Sequence, residues 1–420
     1  MYKHKHLAII CQNSRLPFIF EEAREMGIKV TFFFHSQESM PRELPVVSRY
    51  IGIDLFNSPE EALLEVKKAY EQDPFDGVIT LFEPALAFTA RVAQELNLRF
   101  LPLETILSCR NKNETRKILK ENNLHTPVFY EIHSDQDLLS INCAFPMVVK
   151  PSNGFSSQGV VRVNTYEELL EAVRKVEEIN KHDLSQFVQN EAKIIVEQFI
   201  DGPEFAIESF SIQGEVHILS IGYKGDCKGP YFEEGVYIAP AQLDETIQNA
   251  IVQEVKSAIK ALGITDGPSH TELRLHHGKI PYVIEIGARI GGSGISHYIV
   301  KESTGVNYIQ LAISNAFDSL DKDTIDQDAK PFRVAGNYII PVQGSGIFER
   351  IDGLDELNEM SEVVRVFQFI DPGTAILPYP HFSGYPGFIL TTHDSYEECE
   401  AFYRYLDNHI KLEYRNNVII

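Results

Sequence analysis

Two glutamates on a predicted β-hairpin have the spacing needed to hold a metal ion. Apolar runs of strand type flank Gly278-Lys279, which predicts a hairpin with its turn at that dipeptide. If the strands pair symmetrically about this turn, Glu272 faces Glu285 with Cβ atoms about 5 Å apart. Facing carboxylates repel, so the pair indicates a hard cation such as Mg2+ between them. Arg289 falls on the same strand face and would add a phosphate contact. The competing interpretation is a surface hairpin with scattered charges and a slipped register.

A glycine-rich loop between two predicted strands is a second candidate site. Lys150 closes the strand from Pro146, and the loop from Asn153 to Gly159 leads into a strand from Val160 to Val163. Two glycines and small polar residues, Ser157 among them, let the loop offer backbone amides to an anion. The order differs from a Walker loop, in which the lysine follows the glycines and a helix comes next. A phosphate-binding flap is one interpretation, and a plain hairpin with a solvated lysine is the other.

Two more carboxylates follow predicted strands. The strand from Ile194 to Ile200 runs into Asp201-Gly202-Pro203-Glu204, where the backbone could meet a base edge and Glu204 a ribose. Near the N-terminus, the strand from Gly77 to Phe82 ends at Glu83-Pro84. Ligands of parallel α/β sheets lie beyond the carboxyl ends of the strands, which makes Glu83 a candidate contact. The alternative role for Glu83 is to cap the helix that follows.

The composition excludes several classes of protein. The 420 residues are 44% hydrophobic and 23% charged, which is ordinary for a globular chain of roughly two to four domains. A net charge of −22, without a basic cluster beyond Lys3-His4-Lys5, argues against nucleic acid or an anionic membrane as partner. Five cysteines without a C-x-x-C pair indicate neither a disulfide framework nor a zinc site, which favours the reducing cytoplasm. Since no apolar run approaches about 18 residues, we expect neither secretion nor a membrane span.

The order of predicted elements divides the chain into four segments. In residues 1–112, short apolar strands alternate with amphipathic helices, which predicts a parallel α/β domain. Residues 113–192 carry the flap, and residues 193–330 carry a hairpin about Gln213-Gly214 and then the two-glutamate hairpin. Residues 331–420 form a β-rich segment. Helices are predicted near Leu16 to Met26, Pro59 to Tyr70, Ala85 to Leu96, Glu114 to Asn122 with Asn113 as its cap, Tyr166 to Ile179, Asp244 to Leu262, Val306 to Phe317 and Tyr396 to Leu406.

In this order, the motifs resemble the ATP-grasp superfamily over nearly the whole chain. Within it the chain is most similar to bacterial L-amino acid α-ligases, which join two unprotected amino acids into a dipeptide. The resemblance is carried by residues 81–86 (Leu-Phe-Glu-Pro-Ala-Leu), 110–113 (Arg-Asn-Lys-Asn), 153–159 (Asn-Gly-Phe-Ser-Ser-Gln-Gly) and 284–292 (Ile-Glu-Ile-Gly-Ala-Arg-Ile-Gly-Gly). It implies an α/β and α+β multidomain ATP-grasp fold with an N-terminal Rossmann-like domain and a C-terminal β-rich region.

The resemblance also implies a role for individual residues. ATP would lie between the flap and the two-glutamate hairpin, and its contacts would be Lys112, Lys150, Ser157, Glu197, Gln198, Phe199, Ile200 and Glu204. Glu272 and Glu285 would hold one or two Mg2+ ions, or Mn2+ in their place. Gly287 stands where many members have asparagine, so a second ion would have one side-chain ligand fewer. Arg289 would be the catalytic residue that stabilises the tetrahedral oxyanion.

The implied partners are small-molecule amino acids, and a homodimer is compatible with this interpretation. Substrate contacts would be made by Glu83, Pro84, Glu234, Tyr237, Arg289, Ser293 and His297. Ser293 and the glycines around it leave room for a medium or large apolar first residue such as methionine or leucine. Three other functions stay open: an ATP-grasp ligase of another substrate class, a biotin-carboxylase-like enzyme, and a nucleotide sensor without catalysis.

Overall fold

A parallel four-stranded sheet forms the N-terminal part of the chain. The structure is a computed structural model that describes residues 2–13, 15–36, 44–155, 157–185, 187, 193–227, 229–232, 235–321, 323–325, 331–377 and 384–415, without the side chains of residues 183 and 293. Its first elements are β1 (His6–Ile10), α1 (Phe18–Glu25), β2 (Lys29–His35), β3 (Val47–Ile53), α2 (Pro59–Gln72), β4 (Gly77–Ile79) and α3 (Leu86–Leu96). The strand order is β3-β2-β1-β4, and every pair is parallel. Strand β1 is buried throughout, as is typical of a parallel strand covered on both faces.

Two short helices lead from this sheet to the next one. They are α4 (Leu103–Arg110) and α5 (Lys112–Glu121), and only α5 was predicted. The predicted cap of α5 is wrong by two residues. The side chain of Asn111 accepts hydrogen bonds from the backbone N–H groups of Asn113 and Glu114, whereas Asn113 lies inside the helix. Asn111 has extended backbone angles, which suit a cap, and it thereby fixes the start of the helix at Lys112.

An antiparallel four-stranded sheet carries the glycine-rich flap. Its elements are β5 (Phe129–Ile132), α6 (Asp135–Leu138), β6 (Met147–Pro151), β7 (Val161–Val163), α7 (Tyr166–Ile179) and β8 (Ile194–Gln198), and the strand order is β5-β8-β6-β7. Helix α7 begins as predicted, because Thr165 accepts a hydrogen bond from the backbone N–H of Glu168. Its buried face, which includes Leu169, Val173 and Val176, packs with β6 and β8 in one apolar core.

The largest sheet has eight strands and includes the two-glutamate hairpin. This part of the chain contains β9 (Glu204–Ile212), β10 (Glu215–Gly225), β11 (Val236–Ala239), α8 (Glu245–Ala261), β12 (Gly267–His276), β13 (Ile280–Gly287), α9 (Ile295–Thr304) and α10 (Tyr308–Ala316). The hairpin predicted about Gln213-Gly214 is confirmed, since Ile212 pairs with Glu215. One face of β12 and β9 packs against α8 and α4, and the other face is covered by α9 and α10.

Strands from residues 331–420 continue this sheet. The C-terminal elements are β14 (Val334–Ile339), β15 (Gly346–Asp352), α11 (Leu354–Leu357), β16 (Val363–Gln368), β17 (Ala375–Ile376), β18 (Gly387–His393), α12 (Tyr396–His409) and β19 (Lys411–Arg415). The order of the large sheet is β13-β12-β9-β10-β11-β14-β18-β16, and a separate sheet has the order β17-β15-β19. The predicted β-rich C-terminal region is therefore present, and it shares a sheet with the segment before it.

The hairpin β12–β13 has the predicted pairing but a different turn. Glu272 lies opposite Glu285, as the sequence predicted. The last pair before the turn is His276 with Ile280, so three residues form the turn and not the dipeptide Gly278-Lys279 alone. The register then changes between Glu272 and Leu273, which leaves Ile284 without a partner as a β-bulge. A one-residue slip would turn one glutamate to the other sheet face, and the bulge reverses that slip.

Candidate active site

Most of the predicted site residues line one cavity between the flap sheet and the eight-stranded sheet. The cavity encloses about 1460 Å³ of empty space, part of it open to solvent. The predicted residues among its walls are Glu83, Lys112, Lys150, Ser157, Glu197, Gln198, Phe199, Ile200, Glu204, Tyr237, Glu272, Glu285 and Arg289. Several distant parts of the chain thus converge on a single space, as the ordered motifs predicted.

A buried ion-pair network forms the wall beneath the flap. Glu197 accepts a hydrogen bond from the Nε of Arg116 at 3.0 Å and is paired through its other oxygen with Lys150. All three side chains are almost completely buried. Burial alone would raise the pKa of Glu197, but Arg116 and Lys150 outweigh it and hold that pKa below its ordinary value. Arg116 also donates to the carbonyl of the bulge residue Ile284 at 2.6 Å, which ties the flap sheet to the hairpin.

The two facing glutamates are each approached by a different lysine. Lys224 Nζ lies 2.6 Å from Glu272, and Lys112 Nζ lies 3.1 Å from Glu285. Burial alone would raise the pKa of Glu272, but Lys224 and His270 hold it well below its ordinary value. Two carboxylates on adjacent strands, both open to the cavity, are the oxygen ligands that Mg2+ prefers. The side chains present here therefore fit one hard divalent cation.

Behind Glu272, a chain of buried polar side chains runs to Tyr237, which also lines the cavity. His270 lies between two carboxylates, with its Nδ1 2.5 Å from Glu208 and its Nε2 3.3 Å from Glu272. Tyr237 donates its hydroxyl to Glu208 at 3.1 Å. Burial alone would lower the pKa of His270, but Glu208 and Glu272 raise it to about 9. At neutral pH, His270 is accordingly a cation that can orient Glu272, the candidate metal ligand.

The space for His270 depends on Gly291. A Cβ at position 291 would lie 2.5 Å from the Nδ1 of His270 and 2.5 Å from the Oγ of Ser296. Both distances are too short for a real contact, so a side chain here would displace the imidazole. The glycine run after Arg289 therefore has a packing function beside His270, a neighbour of Glu272.

Arg289 forms an ion pair with Glu83 across the cavity. Its Nε donates to Glu83 at 2.8 Å and a second guanidinium nitrogen donates to the same oxygen, while its third nitrogen donates to the carbonyl of Ile290. Burial alone would raise the pKa of Glu83, but Arg289, Lys112 and Arg110 lower it. The pair thus brings the carboxyl end of a strand of the first sheet to the end of the hairpin, although the residues are 206 positions apart.

Aromatic and basic side chains form the opposite end of the cavity. The guanidinium of Arg274 lies 5.2 Å from the ring centroid of Phe199 and 5.8 Å from that of Phe232. Arg162 stacks over Phe199 at 4.3 Å. Glu204, at the start of β9, accepts from Arg274 at 3.5 Å. Flat apolar faces beside a carboxylate suit a planar base with an attached sugar.

Four predicted substrate residues have a different status. Pro84 lines a neighbouring cavity rather than this one. Glu234 and the side chain of Ser293 lie outside the described residues. His297 is not among the residues that line the cavity. It is buried in α9, with its Nδ1 accepting from the backbone N–H of Ile309 at 3.1 Å and its Nε2 3.4 Å from Glu22. This geometry gives His297 a structural role, so the predicted substrate contact is not supported.

Several site residues were not singled out in the sequence. They are Arg116, Glu208, Lys224, His270 and Arg274. A signal was present for two of them, because His270, Glu272 and Arg274 alternate along one strand and therefore share a face. The others are buried charges on α5, β9 and β10, and their partners come from distant parts of the chain.

Comparison with known proteins identifies the fold as that of ATP-grasp enzymes. Residues 143–297 match the family model of the ATP-grasp domain, and residues 20–99 match that of the ATP-grasp N-terminal domain. Residues 338–415 match the L-amino acid ligase C-terminal domain 2. None of the described helices is both long and apolar enough to cross a membrane.

Individual relatives narrow the class to one family. The crystal structure of the L-amino acid ligase from Bacillus licheniformis is 60% identical in sequence and has a TM-score of 0.94, covering 99% of this chain and 100% of that one. The alanine–anticapsin ligase of Bacillus subtilis strain 168 is 26% identical over 387 residues, 85% of this chain and 81% of that protein. An L-arginine-specific L-amino acid ligase of Bacillus subtilis is 27% identical over 248 residues, 57% of each protein. The chain belongs to the L-amino acid ligase family, whose members are ATP-dependent enzymes that form C–N bonds.

Proposed function

We propose that this ligase joins two unprotected L-amino acids into a dipeptide through an acylphosphate and releases ADP and phosphate. The observation that supports this most directly is the meeting of the Glu272–Glu285 pair and the Arg289–Glu83 pair in one cavity with Lys112 and Lys150. The first pair can bind metal-associated phosphate, and the second lies where an acyl group would react. A site for nucleotide binding alone would need no arginine beside the metal ligands.

ATP binds between the flap and the hairpin. Its adenine lies against Phe199 near the backbone of Gln198 and Ile200, and its ribose lies at Glu204. Its phosphates extend toward Lys112, Lys150 and the flap residue Ser157. Glu197 acts indirectly, because it holds Lys150 through their buried ion pair. This direction places the γ-phosphate at the Glu272–Glu285 pair.

Mg2+ bound by Glu272 and Glu285 would neutralise charge on the transferred phosphoryl group, as Mn2+ also can. We propose one ion held by both glutamates and a second only if phosphate oxygens supply most of its ligands, because Gly287 offers no side-chain donor. Lys112 and Lys224 lie at the two carboxylates and can turn to phosphate oxygens when the ion is present.

The reaction consists of two displacements. A carboxylate oxygen of the first amino acid attacks the γ-phosphorus, its bond to phosphorus forms, and ADP leaves with the bridging oxygen. The amine of the second amino acid, after losing a proton from its ammonium, then attacks the acyl carbon. The C–N bond forms, the bond from carbon to the phosphate oxygen breaks, and the nitrogen loses its second proton. Arg289 stabilises the oxyanion and the departing phosphate, and Glu83 holds Arg289 in position.

We further propose that the first amino acid is medium or large and apolar, such as methionine or leucine. Small residues, Gly292 and Gly294 among them, surround Ser293 at the end of the hairpin, and Tyr237 lines the cavity. A Ser293→Trp variant would fill this space and lower activity with large first residues more than with alanine. Unchanged activity and binding of large substrates in that variant would place the pocket elsewhere.

The decisive experiment uses Mg-ATP, pairs of L-amino acids and a first substrate labelled with 18O in its carboxylate. The proposal expects ADP, phosphate and dipeptide in equal amounts, with one label atom in the phosphate. AMP and pyrophosphate as products, or unlabelled phosphate, would rule out the acylphosphate. Product formation only with a thiol acceptor would identify a ligase of another substrate class. Bicarbonate-dependent hydrolysis would favour a biotin-carboxylase-like reaction, and ATP binding without turnover would favour a sensor.

A further inference from the structure

A second cavity adjoins the ATP cavity on the other side of a thin wall. It encloses about 1070 Å³ of empty space, part of it open to solvent. Consecutive residues separate the two spaces at three places. Glu83, Lys112 and Gly154 line the ATP cavity, whereas their neighbours Pro84, Asn111 and Asn153 line the second one. The second cavity therefore ends at the Glu83–Arg289 pair, where the acyl group would react.

Arg110 is the charged residue of this wall that forms no close ion pair within the described part of the chain, although it interacts electrostatically with Glu83. The other charged residues of the wall have close partners, since Arg91 pairs with Glu60 at 2.7 Å and Glu114 pairs with Lys117 at 2.7 Å. Among the residues that the structure describes, none lies close enough to Arg110 to form a hydrogen bond or an ion pair with its guanidinium. It lies at the C-terminal end of α4, partly buried, within electrostatic reach of Glu83 and Arg289. A guanidinium so placed is a ready partner for an anion that enters the cavity.

The remaining wall is largely apolar. Phe56, Phe88 and Leu107 contribute to it, and the rigid ring of Pro84 forms the boundary with the ATP cavity. An anionic group at Arg110 and an apolar group against these side chains can belong to one small molecule. The α-carboxylate and the side chain of an amino acid have this relationship.

We propose that the second cavity binds the acceptor amino acid and that Arg110 binds the carboxylate which this substrate keeps. The assignment rests on the proposed function, because only a ligase for two free amino acids has an unreacted carboxylate to recognise. That carboxylate must be kept from the γ-phosphate, or it would be phosphorylated as well. Arg110 holds it on the Pro84 side of Glu83, and the amine of the same molecule must reach past Glu83 to face the acyl carbon near Arg289.

The test compares an acceptor amino acid with its amide, which lacks the carboxylate, in the wild-type enzyme and in Arg110→Met. A charge-assisted hydrogen-bond pair with a carboxylate corresponds to about a 10- to 100-fold effect. We expect the variant to raise the KM for the acceptor acid by this factor and to leave the KM for the amide, the first amino acid and ATP unchanged. Arg110→Lys, which keeps the charge, should recover part of the loss. The lysine variant also keeps the test possible if the methionine variant does not fold.

Arg91→Met is the matched control, because Arg91 lines the same cavity but is already paired with Glu60. Its ratio of acid to amide activity should equal that of the wild type. Two results for Arg110→Met would overturn the assignment of the acceptor site but not the proposed function. One is an equal loss of activity with the acceptor acid and with its amide, and the other is a raised KM for ATP or for the first amino acid instead. Absence of dipeptide with every pair in the wild-type enzyme would overturn the proposed function and the assignment together.

Discussion

Glu272 lies directly opposite Glu285 in the β12–β13 ladder, with Ile284 bulged out beside them. Like charges at such a position destabilise a sheet unless cations lie near both. Lys224 and Lys112 supply one positive charge to each glutamate. The pair is thus electrostatically balanced by these lysines, and under the proposed function a bound metal ion would take their place beside the carboxylates.

The first prediction concerns the charge of this pair. Glu285→Gln should lower kcat at saturating ATP roughly 100-fold, because the cation that stabilises the transferred phosphoryl group loses one of its two carboxylate ligands. The Mg2+ concentration for half-maximal activity should rise at the same time. Both are measured by ADP release during a Mg2+ titration. Glu349→Gln, which alters an exposed pair with Arg415, should match the wild type. An unchanged Mg2+ requirement in Glu285→Gln would argue against metal binding at this glutamate.

The second prediction concerns the buried network under the flap. Glu197→Gln leaves the charges of Arg116 and Lys150 buried without their carboxylate, so the free energy of unfolding should fall by about 3–5 kcal/mol. Urea denaturation monitors this change. The control is Glu95→Gln, which breaks an exposed pair with Lys67 and should cost below about 1 kcal/mol. Similar losses in the two variants would mean that water reaches the Glu197 network.

Local patterns in the sequence were sufficient to predict the parallel N-terminal sheet, the flap and the pairing of Glu272 with Glu285. Each depends on hydrophobic periodicity or turn residues within a short window. Strand β3 was not predicted, because it is a half-exposed edge strand whose apolar pattern is interrupted by Ser48, Arg49 and Gly52. The turn was predicted at Gly278-Lys279, whereas it comprises residues 277–279. The β-bulge that compensates for the extra turn residue lies at Ile284, whose apolar side chain does not distinguish it from its neighbours.

The supporting residues of the site could not be predicted for a different reason. Arg116 meets Glu197 across 81 positions, and Lys224 meets Glu272 across 48. No local pattern encodes such distances. The first is set by how helix α5 meets the flap sheet, and the second by the strand order β12-β9-β10 within the large sheet. The sequence left His297 equally compatible with a substrate contact and a structural role, and in the structure α9 turns its ring toward Glu22.

The third prediction concerns Gly291. In Gly291→Ala the new methyl group would displace His270 from Glu208, so Glu272 would lose a support and kcat should fall about 10- to 100-fold. The KM for the amino acids should change little. Kinetics and the thermal midpoint, which should stay within a few degrees of the wild type, are measured together. Gly235→Ala is the control, because no atom of the described residues lies within 4 Å of the added Cβ. If both variants retain full activity, His270 has no positioning role.

The fourth prediction is a pH dependence of stability that originates at Glu22. This buried carboxylate accepts from Asn307 at 2.5 Å, pairs with Lys301 and lies 3.4 Å from His297. Burial alone would raise its pKa, but these partners lower it from 4.5 to about 2. A lowered folded-state pKa means that the stabilisation is complete above pH 4.5 and is lost as the pH falls toward 2. The shift corresponds to roughly 3 kcal/mol.

Glu22→Gln removes this titration, so the stability difference between wild type and variant should be largest above pH 4.5 and shrink on acidification. Urea denaturation at a series of pH values measures it. His297 acts in the same direction from higher pH, because burial lowers its pKa from 6.5 and the unfolded chain takes up the proton first. Glu60→Gln, an exposed carboxylate paired with Arg91, should change stability little at any pH. If the stability difference between wild type and Glu22→Gln stayed constant down to pH 3, folding would not lower the pKa of Glu22. The carboxylate would then be protonated, and its ion pairs lost, well above that pH.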